Sequence, residues 1–273
     1  MAVITMARQV AALGDEISAE VARKLKYTFV DRKEIERKIV ELGFPESKLE
    51  KYDERKPGFF ASLANARDEY LDYLLTAILG VAAEGNCVLI GRGARFILDE
   101  LPNLVSFRFV ADDKTRLERL KKEFDWNDKQ AQARIDESET NRLGFHKSFF
   151  NINPHDPSHY HMTINTSLMD VDAASDVIVD VVKKFITPEK EEQGKKKIQE
   201  LLMAQNLVNS LVFEHKVNIN FLHAVVNNGK IILQGVADSN AIVEKALILA
   251  RKLHPEYEIE SVISVVQDFK TYQ

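Results

Sequence analysis

Short continuous apolar runs alternate with stretches of helical period along the first two thirds of the chain. Ala2–Ala7 (AVITMA) reads as a buried strand. Gly14 breaks the chain, and Asp15–Lys26 then places Ile17, Val21 and Leu25 one turn apart on a single helical face. Tyr27–Val30 is a second short strand. Asp31, with Glu34 three residues on, is set to cap a helix over Asp31–Leu42. Glu46–Glu54 is a charged stretch and Pro57-Gly58 marks a turn. Asn65–Ala83 has the helical period, with Tyr70, Leu74, Ile78 and Val81 on one side. Further strands fall at Cys87–Ile90, Val105–Val110 and Met162–Asn165. Gly91-Arg92-Gly93 makes a turn after the first of these, and a helix begins at Ala94. Asp113–Lys122 and Asp128–Arg142 read as charged, solvated helices, and Asp170–Phe185 as an amphipathic one.

Strands alternating with helices predict an α/β fold: a largely parallel sheet with helices on both faces. Ligands of such sheets sit beyond the carboxyl ends of the strands, which brings Arg8–Gly14, Asp31 and Gly91–Gly93 to one edge. The pattern changes at Thr187-Pro188. The charge run Glu189–Lys197 reads as a solvated linker or helix start. A helix over Ile198–Leu211 follows, then a strand over Val217–Val226 with Val217, Ile219 and Phe221 on one face. Asn227-Asn228-Gly229 signals a hairpin, Lys230–Val236 is the return strand, Ser239–Leu253 an amphipathic helix and Ile259–Gln267 a last strand. The organisation is therefore one α/β domain over 1–186, a linker over 187–194, and a small α+β unit of order αββαβ over 195–273.

Composition narrows the function classes. The 273 residues are 45% hydrophobic and 29% charged, which supports packed cores. The formal net charge is -5, which excludes a nucleic-acid binder working through a general basic surface. The single cysteine, Cys87, lies in an apolar run and reads as a small buried hydrophobe, so a reducing compartment is expected. No signal-peptide pattern and no run of 18 apolar residues is present. A cytoplasmic location is expected.

Several pieces together carry a family resemblance: the strand VITMARQ entering a loop, Tyr27–Ile35 (YTFVDRKEI), Gly85–Ala94 (GNCVLIGRGA), and Asp156-Pro157 with Tyr160 and Thr163–Ser167 (TINTS). On these, residues 2–182 resemble the cytidylate kinase-like family, a branch of the P-loop nucleoside monophosphate kinases. The resemblance implies phosphoryl transfer from ATP with Mg²⁺ to CMP or a related acceptor. It places Arg8 and Gly14 at the donor phosphates, Asp31, Arg92 and Gly93 at the acceptor nucleotide, and Arg134 and Arg142 in a lid over the transferring charge. Residues 195–273 are similar to a BON domain, on the segment Asn-Gly-Lys-Ile-Ile-Leu-Gln-Gly between a helix and a helix–strand pair. That likeness implies a protein or phospholipid partner. An open edge strand there could pair with a second copy to give a homodimer.

The chain departs from the family at the phosphate loop. Relatives carry a loop of the form SREFGSGGREI; here the stretch is Ala7–Ile17 (ARQVAALGDEI). Arg8, Gly14, Glu16 and Ile17 are kept, two glycines have become Ala11 and Leu13, and the basic position has become Asp15. A unit charge near a phosphate is worth about 4 kcal/mol at about 4 Å and an effective dielectric of about 20, so changing its sign costs several kcal/mol. Asp15 either fills the anion site itself or is an ordinary first-turn acid. Two classes of function follow: a weak or inactive pseudokinase that binds a nucleotide or a partner, and an active transferase. Among the other candidates, Arg92 either grips a phosphate or pairs with a nearby acid. Arg116 and Arg119 share the lid region with Arg134 and Arg142. His155, His159, His161 and Asp156 are the one ligand-like cluster, and their spacing is not that of a zinc site. No metal site is expected there.

Overall fold

The computed structural model describes residues 1–49, 52, 64–227 and 229–266. The expected Pro57-Gly58 turn, Asn228 of the hairpin and the end of the last strand lie outside the described residues. Five strands, β1 (Val3–Arg8), β2 (Thr28–Val30), β3 (Cys87–Ile90), β4 (Leu104–Val110) and β5 (Met162–Asn165), form one parallel sheet of order β2-β3-β1-β4-β5. Every pairing in it is parallel, as a chain that returns through helices requires.

Alternate residues of β1–β4 enter opposite cores, which explains their continuous apolar runs, whereas β5 faces one core only. Val3, Cys87, Leu89 and Leu104 face one side, where they meet α2 (Arg32–Glu41) and α4 (Ala64–Glu84). Ile4, Val88, Ile90, Val105 and Phe107 face the other, against α1 (Gly14–Leu25) and α8 (Val171–Phe185). Cys87 is buried, and desolvation pushes its thiol up to about 12. The short helices α3 (Glu46–Leu49) and α5 (Ala94–Ile97) fill connections. A pair of helices, α6 (Asp113–Phe124) and α7 (Asp128–Phe150), stands over the carboxyl edge of β1 and β4. Helix α7 runs eight residues beyond the expected end at Arg142, because Phe145 and His146 bury its last turns.

The segment 187–194 is not an extended linker. Thr187 caps α9 (Pro188–Asn209), a single helix through the whole charge run. Its first half belongs to the α/β unit, with Ile198 in the core of that unit and Gly194 against Asn103. Its second half, Ala204, Leu207 and Val208, belongs to the core of the C-terminal unit. That unit pairs β6 (Asn220–Asn227) antiparallel to β7 (Lys230–Ala237). After α10 (Asn240–Leu253), β8 (Glu258–Ser261) and β9 (Ser264–Val265) run parallel to β7. Phe221 departs from expectation. The register shifts between Asn220 and His223, Phe221 takes a left-handed φ of 54°, and its ring is 60% exposed while Val217 and Ile219 are buried. A bulge turns it out of the core.

Candidate functional site

Strand β1 ends at Arg8 and α1 begins at Gly14, so residues 9–13 make a tight strand-to-helix loop. Ala11 and Leu13 stand at φ 60° and 54°. These left-handed positions suit glycine, and an L-residue pays about 1 kcal/mol or more for each. The surrounding structure holds the loop in this shape. Gln9 N donates to Phe109 O at 3.0 Å, and Gln9 Oε1 accepts from Ala111 N at 3.1 Å. Arg116 Nε donates to Val10 O at 3.1 Å, Arg119 Nη1 to Ala11 O at 3.0 Å, and Arg142 Nη1 to Arg8 O. Val10 and Ala11 also pack on an apolar cluster of Leu120, Ala131, Ile135 and Trp126 from the α6–α7 pair. The altered loop is therefore held in a tight turn, and Arg116 and Arg119 grip its carbonyls. Gly14 is required at the helix start: a Cβ there would lie 2.5 Å from Arg8 Cβ.

Asp15 is more than a first-turn acid. Its carboxylate takes both arms of the Arg8 guanidinium, with Nε to Oδ2 at 3.1 Å and Nη2 to Oδ1 at 3.0 Å. The Arg8 side chain is 12% exposed and that of Asp15 57%. A planar fork of this kind is the geometry with which arginine holds carboxylate or phosphate. Arg134 and Arg142 border the cavity of about 340 Å³ over the loop, together with Glu123 and the stacked rings of Phe124 and Trp126. Arg134 is paired with Glu137 at 2.9 Å. Arg116, 3% exposed, binds Glu139 at 2.7 Å.

A second, tighter cavity of about 40 Å³ lies between the ends of β1 and β3, the middle of β4, and α7. Arg8, Arg95, Arg108 and Arg142 line it, with His146, His155 and Tyr160; Glu139 is the single carboxylate. Arg108 is buried among apolar strand residues and points into this space. Its Nη1 donates to His155 O at 2.9 Å, and its Nη2 lies 3.0 Å from His155 Nδ1. Burial lowers the pKa of both the Arg108 guanidinium and the His155 ring, and raises that of the Tyr160 phenol. Arg8 is held by Asp15, and Arg95 by Asp99 and by His159 O at 2.6 Å, so the arginines of this wall are engaged within the protein.

Of the residues expected from sequence, the fold brings Arg8, Gly14, Gly93, Arg134 and Arg142 to these two cavities. Gly93 (φ 71°) sits in the wall of the smaller one, with a Cβ blocked by Phe150 Cζ at 2.5 Å. Two expected nucleotide contacts lie elsewhere. Arg92 is 1% exposed and turned into the opposite core, where it donates to Tyr52 O at 2.8 Å and pairs with Glu36. Asp31 caps α2 by accepting from Glu34 N at 2.9 Å and lines neither cavity. The histidine cluster is dispersed into separate contacts. His161 Nδ1 meets Ser106 at 2.9 Å, His155 meets Arg108, and the His159 ring stands edge-on to Phe96. Arg95 and Arg108 were missed. Arg108 had a signal, since a lone charge inside the apolar strand VSFRFV must find a buried partner or a ligand.

The family model of the cytidylate kinase-like family matches residues 3–168, more than half of the chain. No curated protein matches it. Among solved structures, an uncharacterized protein from Eubacterium ventriosum is 18% identical with a TM-score of 0.54, over 67% of this chain and 99% of that one. That likeness is one of fold. A shikimate kinase from Bacteroides thetaiotaomicron is 16% identical over 67% of this chain and 98% of that one (TM-score 0.41). A gluconokinase from Sinorhizobium meliloti is 12% identical over 67% and 92% (TM-score 0.41).

Proposed function

Because the chain belongs to the cytidylate kinase-like family, we propose that it is a nucleotide-binding pseudokinase that transfers phosphate from ATP weakly or not at all. The observation that carries this reading is the two-armed Arg8–Asp15 pair. A donor phosphate entering the loop must displace an internal carboxylate from Arg8 and then lie beside it. The repulsion is about 4 kcal/mol at about 4 Å under an effective dielectric of about 20, enough to weaken binding by orders of magnitude. The hold of Arg116 and Arg119 on loop carbonyls supports the same reading, because both guanidinium groups face backbone where a transferring phosphate needs them.

The ATP and Mg²⁺ that the family implies do not fit this loop. Asp15 and Glu16 stand in the first turn where a cation is needed. Ser18, fully buried, has its one hydroxyl proton within reach of Gly14 O and of Met6 Sδ. The acceptor side fits better. The arginine-lined cavity, with Arg108 and Arg142 in its wall, suits the phosphate of a CMP-like monophosphate. One observation favours the second reading, an active nucleoside monophosphate kinase: Arg134 and Arg142 both border the loop cavity, as lid arginines would. The αββαβ order of the last unit supports a BON-like module with a protein or phospholipid partner, on a chain with no described helix long and apolar enough to cross a membrane.

Calorimetric titration with CMP and, separately, with ATP–Mg²⁺ tests the proposal, followed by a coupled kinase assay. CMP binding without ATP binding is expected. Robust turnover at ordinary ATP concentrations would establish the active kinase instead.

A further inference from the structure

The C-terminal unit leaves a cleft where it meets α4. Two cavities of about 320 and 260 Å³ share Leu71, Leu75, Gln205 and His223, and so adjoin one another between α4, α9 and β6. The outer part of the cleft is walled by Val212, Ile219 and Leu222, and its inner part by Leu79, Leu201 and Val208. Mostly apolar spaces of this size at the junction of two units, with a few polar groups, are where small molecules bind.

The charged residues on the wall are all of one sign: Asp68, Glu69 and Asp72 in the outer part and Glu100 in the inner, with no lysine or arginine in either. Three of these carboxylates have cations outside the cleft. Asp68 meets Arg67 at 3.2 Å, Glu69 meets Lys48 at 3.7 Å, and Glu100 meets Lys197 at 2.5 Å. Asp72 is different. Its carboxylate accepts from Gln205 Nε2 at 3.2 Å, and among the described residues no cation pairs with it. Desolvation pushes its pKa up to about 6, the response of a carboxylate walled in by apolar surface without a counter-ion. His223, the nearest titratable base in the cleft, is itself held towards its neutral form by burial. The site thus offers an apolar cleft, a carboxylate short of one positive charge, and a field that rejects anions.

We propose that this cleft binds an amine carrying a hydrocarbon body, with the ammonium against Asp72 and the chain lying between Leu75, Leu79 and Val208. The proposal is independent of what occupies the arginine-lined cavity.

The test is calorimetric titration of the full chain with submicellar decylamine, decanol and decanoate at mildly alkaline pH. Decylamine is expected to bind saturably at one site, decanol more weakly, and decanoate at least about tenfold more weakly than the amine. Asp72→Asn, which keeps an oxygen for Gln205, is expected to lower decylamine affinity about tenfold and leave decanol unchanged. Leu71→Arg, which places a cation in the mouth of the cleft, is expected to lower decylamine affinity more than that of decanol. No saturable decylamine binding, equal binding of decanoate, or full affinity in a folded Asp72→Asn variant would each overturn the proposal. The amine-over-carboxylate selectivity of the unaltered protein needs no variant to be read.

Discussion

Replacing Gly194 with alanine separates two opposed effects whose sum the structure decides. Gly194 is buried within α9, and alanine in a helix interior is favoured over glycine by about 0.8–1.0 kcal/mol. Read by helix propensity alone, the substitution stabilises. The fold reverses the sign. A Cβ at 194 would fall on the amide of Asn103, 2.6 Å from Nδ2 and closer still to Cγ. Asn103 has nowhere to go: it is fully buried, its Nδ2 donates to Met1 O at 3.0 Å, and its carbonyl accepts from Val3 N at 3.2 Å. Forcing an atom into such a contact costs about 1–3 kcal/mol, and breaking the Asn103 side-chain bond costs about 0.5–1.5 kcal/mol more. Against the helix gain, Gly194→Ala should lose about 1–3 kcal/mol. Urea unfolding followed by circular dichroism reads this as a lower midpoint with an unchanged slope. A double variant, Gly194→Ala with Asn103→Ser, should recover part of the loss, giving a coupling of about 1 kcal/mol. An unchanged or raised midpoint in the single variant would refute the docking of α9 on the α/β unit, and with it the continuity of the two units.

Other outcomes are specific to single side chains. Asp72 has a folded-state pKa near 6 against 3.8 for the ordinary carboxyl, so the folded protein binds more protons than the unfolded chain between these values. Stability therefore falls as pH rises through that window. Asp72→Asn should remove the loss, gaining about 1–2 kcal/mol at neutral pH after solvent screening and nothing below about pH 4; equal unfolding midpoints at neutral pH would contradict it. Asp15→Asn frees Arg8 and should tighten ATP binding by roughly two to three orders of magnitude in calorimetry without creating turnover. Asp15→Lys should also leave the kinase assay flat, because Arg116 and Arg119 still face the loop carbonyls; recovery of activity by that single change would refute this account. Arg108→Gln should weaken CMP binding about tenfold while Arg92→Gln leaves it unchanged and lowers stability by about 2 kcal/mol. The reverse pattern would place the acceptor phosphate on the other side of β3.

Local pattern was sufficient for much of this molecule. The apolar runs of β1–β4, with residues in both cores, declare buried parallel strands, and the Asp31–Glu34 spacing declares the start of α2, which Asp31 caps at 2.9 Å. These features were legible because strand burial, helix period and capping depend on residues within a turn or two of one another. The altered loop was legible as an alteration, but its consequence was not. That Ala11 and Leu13 take left-handed φ values, and that Asp15 takes Arg8 rather than solvent, depends on Arg116, Arg119 and Arg142, which lie more than a hundred residues away in the chain. Arg92 and Arg108 make the same point in opposite senses. One had a family motif around it and turned inwards to Glu36; the other had none and joined the cavity through His155, 47 residues distant. The charge run at 189–197 became a docked helix because Gly194 lets it approach Asn103. Local pattern thus fixed where most strands and helices lie, but not how deeply the charge run at 189–197, the end of α7 or Phe221 would be buried. The tertiary structure decided which partner each charged side chain meets, because a buried charge must be matched by whatever the packed fold brings within reach.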